Sequence, residues 1–250
     1  MMTRYKLTLE YIGTNFSGWQ RQVNSYSVQE ALEKAAKKLL QKKIDLVVAG
    51  RTDSGVHAEG QVAHLDLDKP FCERKIHLGI NFHLLNEKYG KDISVKKVTK
   101  VSKSFNARFS AKKKLYQYLI YNCSYRSAIY HKTSWWIKKK IDLEKIIESS
   151  KYLIGSHDFT SFRAKGCQAN STFRTIENIK ISKEKKIIKL NFLAKSFLYN
   201  QVRIMVGTLN EIGTSSLSPI EIKKILEKKD RKYAGITAPS RGLTLKKVIY

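Results

Sequence analysis

Tyr5-Lys6-Leu7-Thr8-Leu9-Glu10-Tyr11-Ile12 sets the architecture. Tyr5, Leu7, Leu9 and Tyr11 alternate with Lys6, Thr8 and Glu10, the period of two expected of a strand with one face in a core. Gly13-Thr14-Asn15 breaks this strand, and Gly18-Trp19-Gln20-Arg21-Gln22 follows as loop. Ser27-Val28-Gln29-Glu30 is a capping-box pattern, in which hydroxyl and carboxylate satisfy the first free amides of a helix. Val28, Ala31, Leu32, Ala35, Ala36 and Leu39 recur at helical spacing, predicting an amphipathic helix over 28–40. Apolar runs predict strands at 44–49 and 60–67, the second with His64 and Asp66 on its more polar face, and residues 50–57 read as the turn between them. A weaker helical pattern covers 76–85, and a strand is expected at 93–101.

Around 105–111 the pattern restarts. A strand is expected at 115–121, a helix at 142–153, strands at 176–182 and 187–194, and a helix at 197–212. Ser218-Pro219-Ile220-Glu221 is a second capping box opening a helix to about 226, with Pro at the first helical position. Residues 243–250 close the chain as a strand. Both halves read strand, helix, strand, strand. The fold class expected is α+β, with two similar subdomains, each an antiparallel sheet with helices on one face. Their expected bounds are 1–104 and 105–250. No Gly- or Ser-rich linker separates them, so the halves are expected to pack together around a basic cleft, a natural groove for nucleic acid.

The 250 residues include 48 Lys or Arg and 21 Asp or Glu, a net charge of +27 at pH 7. A hydrophobic fraction of 42% and an aromatic fraction of 10% exclude a disordered polycation. No apolar run approaches the roughly 18 residues a membrane span requires, and the N-terminus lacks the apolar core of a signal peptide. Cys72, Cys123 and Cys167 are scattered and odd in number, which argues against a disulfide framework and for a reducing, cytoplasmic setting. So large a positive excess concentrates phosphate and makes binding to nucleic acid steeply salt-dependent. Most of the basic residues are Lys, a point charge on a flexible stem, and most of these read as solvated surface. The eleven Arg offer planar forks suited to phosphate or carboxylate.

The densest polar segment is Gly50-Arg51-Thr52-Asp53-Ser54-Gly55-Val56-His57-Ala58-Glu59-Gly60. Its glycines permit tight turns with backbone close behind a presented carboxylate. Arg51 and Asp53 stand two apart, close enough on an extended loop for an ion pair, and a neighbouring guanidinium keeps a carboxylate ionised even where water is excluded. Such a group suits a nucleophile or base. The same residues also read as a plain Thr-Asp-Ser-Gly turn. His57-Ala58-Glu59 matches half the signature of zinc nucleobase deaminases, but no Cys-x-x-Cys exists to complete it. No Walker loop, dinucleotide fingerprint or metal-ligand cluster occurs, so no cofactor and no metal is expected. Arg203, between Val202 and Ile204 on an apolar helix, calls for a compensating partner. Tyr116 and Tyr118 share a strand face as core residues or as a platform for a base.

Tyr11-Ile12-Gly13-Thr14-Asn15-Phe16-Ser17-Gly18-Trp19-Gln20-Arg21-Gln22 and the Asp53 loop are followed by Phe105-Asn106-Ala107-Arg108-Phe109-Ser110-Ala111 and Tyr116-Gln117-Tyr118. After them come Gly155-Ser156-His157-Asp158-Phe159, Phe197-Leu198-Tyr199-Asn200-Gln201-Val202-Arg203 and Ala238-Pro239-Ser240-Arg241-Gly242-Leu243. In this order, over nearly the whole chain, they resemble the tRNA pseudouridine synthase A family. The chain departs from the family at Ile12, where Asp is common, and at Gln201, where Met is common. The resemblance implies conversion of uridine to pseudouridine at positions 38, 39 and 40 of the tRNA anticodon stem-loop, without a cofactor, by a homodimer. It implies Asp53 as the catalytic residue, Arg203 as its partner across the cleft, Arg51 as the residue that takes the flipped nucleotide's place, and Tyr116 as the contact to the target base. The competing expectation is a non-catalytic basic RNA-binding protein.

Overall fold

The alternation of the opening segment holds along its length: β1 (Thr3–Tyr11) buries every second residue from Thr3 to Tyr11. The computed structural model describes residues 2–250 and shows ten strands and five α-helices among them, a mixed α+β protein. The chain forms two compact units, residues up to Lys112 together with Thr244–Tyr250, and Lys113–Leu243.

In the first unit, α1 (Val28–Leu40) starts where the capping box places it, with the Ser27 hydroxyl accepting from the Glu30 amide at 3.2 Å. It buries Ala31, Leu32, Ala35 and Ala36 and packs against α2 (Glu73–Leu84), which lies on β4 (Ile93–Val101). The strand expected at 44–49 shrinks to β2 (Val47–Val48). Its physical reason is Glu33, buried on α1, whose Oε1 takes the Leu46 amide at 3.1 Å, so that amide is not available to a ladder. β3 (His57–Leu67) begins three residues earlier than expected, pairing with β1 past a bulge, so His57 stands in a strand and not in the turn. β1 lies between β3 and β4, antiparallel to both, with Leu7 opposite Ala63 and Val98.

The second unit opens with β5 (Lys113–Asn122), followed by β6 (Trp135–Ile137), α3 (Leu143–Lys151), β7 (Gly155–Asp158), β8 (Phe173–Glu184), β9 (Ile187–Ala194), α4 (Gln201–Thr214) and α5 (Glu221–Lys228). Its strands run β5-β9-β8-β7, with β6 added to β5. α3 packs against α4 and against β8. The helix expected from 197 starts only at Gln201, because Asn200 adopts a left-handed φ of 59°. The second capping box does not form. The Glu221 amide bonds to the Ser218 backbone carbonyl at 3.1 Å, a turn replaces the first helical residues, and no side chain caps α5.

The last strand, β10 (Leu243–Ile249), returns to the first unit and lies parallel to β3, with Thr244 opposite His57. β6 also runs parallel to β5. Each unit therefore departs from the fully antiparallel sheet expected. Both parallel pairs join segments separated by intervening chain, which parallel pairing requires and a hairpin pattern does not reveal. No helix among the described residues is long and apolar enough to cross a membrane.

Candidate active site

The loop between β2 and β3 is held from below by the segment that follows β1. The Trp19 amide donates to the Thr52 carbonyl at 3.0 Å, and the Gly55 amide reaches the Phe16 carbonyl at 3.3 Å. The Tyr11 and Thr52 hydroxyls share a buried hydrogen bond of 2.7 Å. Gln61, with no exposed surface, donates to the Gly50 carbonyl at 2.9 Å and to the Tyr11 oxygen at 3.2 Å. Burial raises the Tyr11 hydroxyl to about 12, partly offset by its bonds to Thr52 and Gln61, so it stays a neutral structural hydroxyl at ordinary pH.

Two glycines make this contact possible. A Cβ on Gly13 would sit 2.0 Å from the Val56 carbonyl oxygen, and one on Gly18 would sit 2.6 Å from that of Thr52. Within the loop the Val56 amide closes back on the Asp53 carbonyl at 3.1 Å. Asp53 is thus half-buried on a short, bonded turn, while Arg51 is exposed. The arrangement presents a carboxylate on fixed backbone, which is what positioning a reacting group requires. Tyr11, Thr52 and Gln61 supply that support, a part in the site that the sequence did not single out for them. The available signal was a polar Gln61 inside an apolar strand run.

Tyr116 and Arg203 belong to the second unit. Tyr116 is buried on β5, with its ring edge-on to Phe197, centroids 5.4 Å apart at 90°. Arg203 stands on the first turn of α4, its guanidinium donating to the Ala238 carbonyl and to the Asn200 side-chain oxygen, both at 2.7 Å. Within this unit neutral oxygens thus meet part of the demand that a half-buried guanidinium makes. Tyr118 is fully buried and donates to the Pro239 carbonyl at 2.7 Å, with its ring against Gly242. Burial pushes its hydroxyl well above the ordinary range, against the opposing charges of Arg203 and Arg241. Tyr118 is therefore a packing residue.

The remaining polar candidates have structural work. His57 Nδ1 accepts the Gly13 amide at 2.9 Å, and His64 Nδ1 accepts the Ala107 amide at 3.1 Å, both rings being buried. Glu59 is exposed and paired with Lys246. The half-signature of a zinc site is thus spent on backbone and on lysine. Asp66 makes a two-pronged pair with Arg4 at 2.8 and 2.7 Å, and Arg4 holds its carboxyl below the usual range. Asp158 accepts from the Thr160 amide at 3.1 Å and hydroxyl at 2.7 Å, tying down the turn after β7.

A family profile described as tRNA pseudouridine synthase matches residues 8–110 and 150–250. Asp53, Arg51 and Arg203 lie within the matched residues, and Tyr116 lies between the two stretches. The chain is similar to proteins named tRNA pseudouridine synthase A from Ehrlichia canis, 48% identical over 248 residues, 99% of this chain and 100% of that protein. The protein of that name from Anaplasma phagocytophilum is 45% identical over 249 residues, 99% of this chain and 100% of the other. The one from Agrobacterium fabrum is 42% identical over 249 residues, 100% of this chain and 93% of that protein.

Proposed function

The chain belongs to the tRNA pseudouridine synthase family, an isomerase acting on uridine in tRNA, and from that premise we propose that Asp53 carries the reaction at uridines 38, 39 and 40 of the anticodon stem-loop. The supporting observation is the position of Asp53, half-buried on a loop whose residues bond to Phe16, Trp19, Tyr11 and Gln61 of the first unit.

The chemistry dictates what such a residue does. The N1–C1′ bond must break, the freed uracil must turn, and C5 must bond to C1′. Product and substrate have the same composition, so the net reaction needs neither an oxidant nor a second substrate, and no cofactor enters the proposal. An ionised carboxylate serves either by covalent attack on sugar or base or by taking a proton from the sugar. A uridine in a stem must also leave its stack, at a cost of a few kcal/mol. Tyr116 is proposed to offset part of this by contact with the base, roughly 1–3 kcal/mol by stacking. Arg51, exposed and always charged, is proposed to take the departed nucleotide's place. Arg203 is proposed to pair with Asp53 and hold it ionised. The protein is further proposed to act in the cytoplasm as a homodimer.

Purified protein incubated with EDTA and a tRNA transcript carrying uridines both inside and outside the anticodon arm tests the assignment of position. The expected product is pseudouridine at 38, 39 and 40 alone, mapped by chemical labelling. Pseudouridine confined to another arm would overturn it, and no product at all would favour the non-catalytic RNA-binding alternative.

A further inference from the structure

Phe109 is 79% exposed, the Arg108 guanidinium lies 5.4 Å from its ring centroid, and both project from a turn whose backbone amides are all bonded from Phe105 to Ser110. The Asn106 side-chain oxygen accepts the Arg108 and Phe109 amides at 2.9 and 3.1 Å. The Asn106 amide donates to the Ser110 hydroxyl at 3.0 Å, and the Ser110 amide donates back to the Asn106 carbonyl at 2.9 Å. Ala107, fully buried, is clamped from both sides, its amide on His64 Nδ1 and its carbonyl taking the Tyr250 hydroxyl at 2.8 Å. Arg4 braces the base of the turn through the Phe105 carbonyl at 2.6 Å.

A single exposed apolar side chain is ordinary. One held out on so fully bonded a turn is preorganised, because the entropy of fixing it has been met by the fold. Arg108 is exposed and makes no ion pair among the described residues, so its fork of donors is uncommitted. Exposed Lys103 and Lys112 flank the turn in sequence. The chemistry on offer is an aromatic face, a guanidinium plane and surrounding positive charge. That combination fits an unpaired nucleotide, with the base stacking on the ring and the phosphate taken by the fork. Paired A-form RNA presents no open base face, which leaves loop or bulge nucleotides as the match.

We propose that Arg108 and Phe109 form a clamp for an unpaired nucleotide of the bound tRNA, separate from the Asp53 loop. The proposal rests on the tRNA reading but not on Asp53, so it is tested by affinity and not by turnover. Equilibrium binding of uridine-bearing tRNA transcript is measured for wild type, Phe109→Ala, Phe109→Trp and Arg108→Gln over a range of salt. Phe109→Ala is expected to weaken binding about tenfold, Phe109→Trp to restore it, and Arg108→Gln to lower the salt slope by about one. Thermal unfolding is expected to be unchanged, since neither side chain is buried. Affinities within twofold of wild type and an unaltered slope would overturn the proposal. So would a loss of self-association in Phe109→Ala with tRNA affinity intact, which would assign the ring to a second copy of the chain. Failure of wild type to form pseudouridine, with the tRNA affinities behaving as expected, would remove the catalytic reading and leave the clamp.

Discussion

Gly18 holds a φ of +103° with the Thr52 carbonyl where a Cβ would stand. Gly18→Ala is therefore expected to cost about 1–3 kcal/mol in denaturant unfolding, and to lower kcat by more than the stability loss accounts for, since the displaced carbonyl adjoins Asp53. A variant as active as wild type would show that the loop does not need this support. His64 makes a second prediction. Burial, then the charge of Arg4, lowers its pKa in the folded protein, while Asp66 opposes them weakly. The neutral ring is the one the fold binds, so its contribution is complete above the ordinary value of about 6.5 and is lost as pH falls through the lowered folded value. His64→Asn, which keeps an acceptor for the Ala107 amide, is expected to flatten the fall in denaturation midpoint between pH 7.5 and 5. Equal pH slopes in both proteins would contradict this.

At the scale of elements, α1 depends on a cap that was legible in the sequence. Ser27→Ala is expected to cost about 1 kcal/mol, by urea midpoint; no change would mean that solvent serves the Glu30 amide equally well. β1 and α1 were legible for one reason, that each declares its buried face by a local period. β6 and β7 had no such signal: three and four residues are too few for a period, and both exist because a distant strand pairs with them. β10 was expected as a strand, but its parallel pairing with β3 was not, because the paired residues lie far apart in the sequence. Local chemistry also overrode pattern. Glu33 claims the amide that would have extended β2, and left-handed Asn200 delays α4. For the candidate site, the glycine pattern announced the loop, but its dependence on Tyr11, Trp19 and Gln61 was not visible, because those bonds join three separate segments. Rigidity of the Arg108–Phe109 turn likewise comes from His64 and Tyr250, far away in sequence.

For the molecule as a whole, the surplus of 27 positive charges is the field in which one carboxylate has to work. Several of the acidic side chains are occupied by surface lysines, as Glu30 is by Lys34 and Asp68 by Lys42. What these pairs leave is basic surface able to hold a polyanion in many registers, and affinity of that kind carries no chemistry. Catalysis must then rest on a group that contributes little to binding, and Asp53 on its braced loop is that group in this account. Removing its charge should leave tRNA affinity within a few-fold of wild type, or slightly raised, because a negative charge facing phosphate is lost. The decisive measurement is single-turnover pseudouridine formation by Asp53→Ala at saturating enzyme, with tRNA affinity measured on the same preparation. A variant that still binds tRNA but yields no detectable product is the expected result, whereas product formed at the wild-type rate would contradict the role given to Asp53.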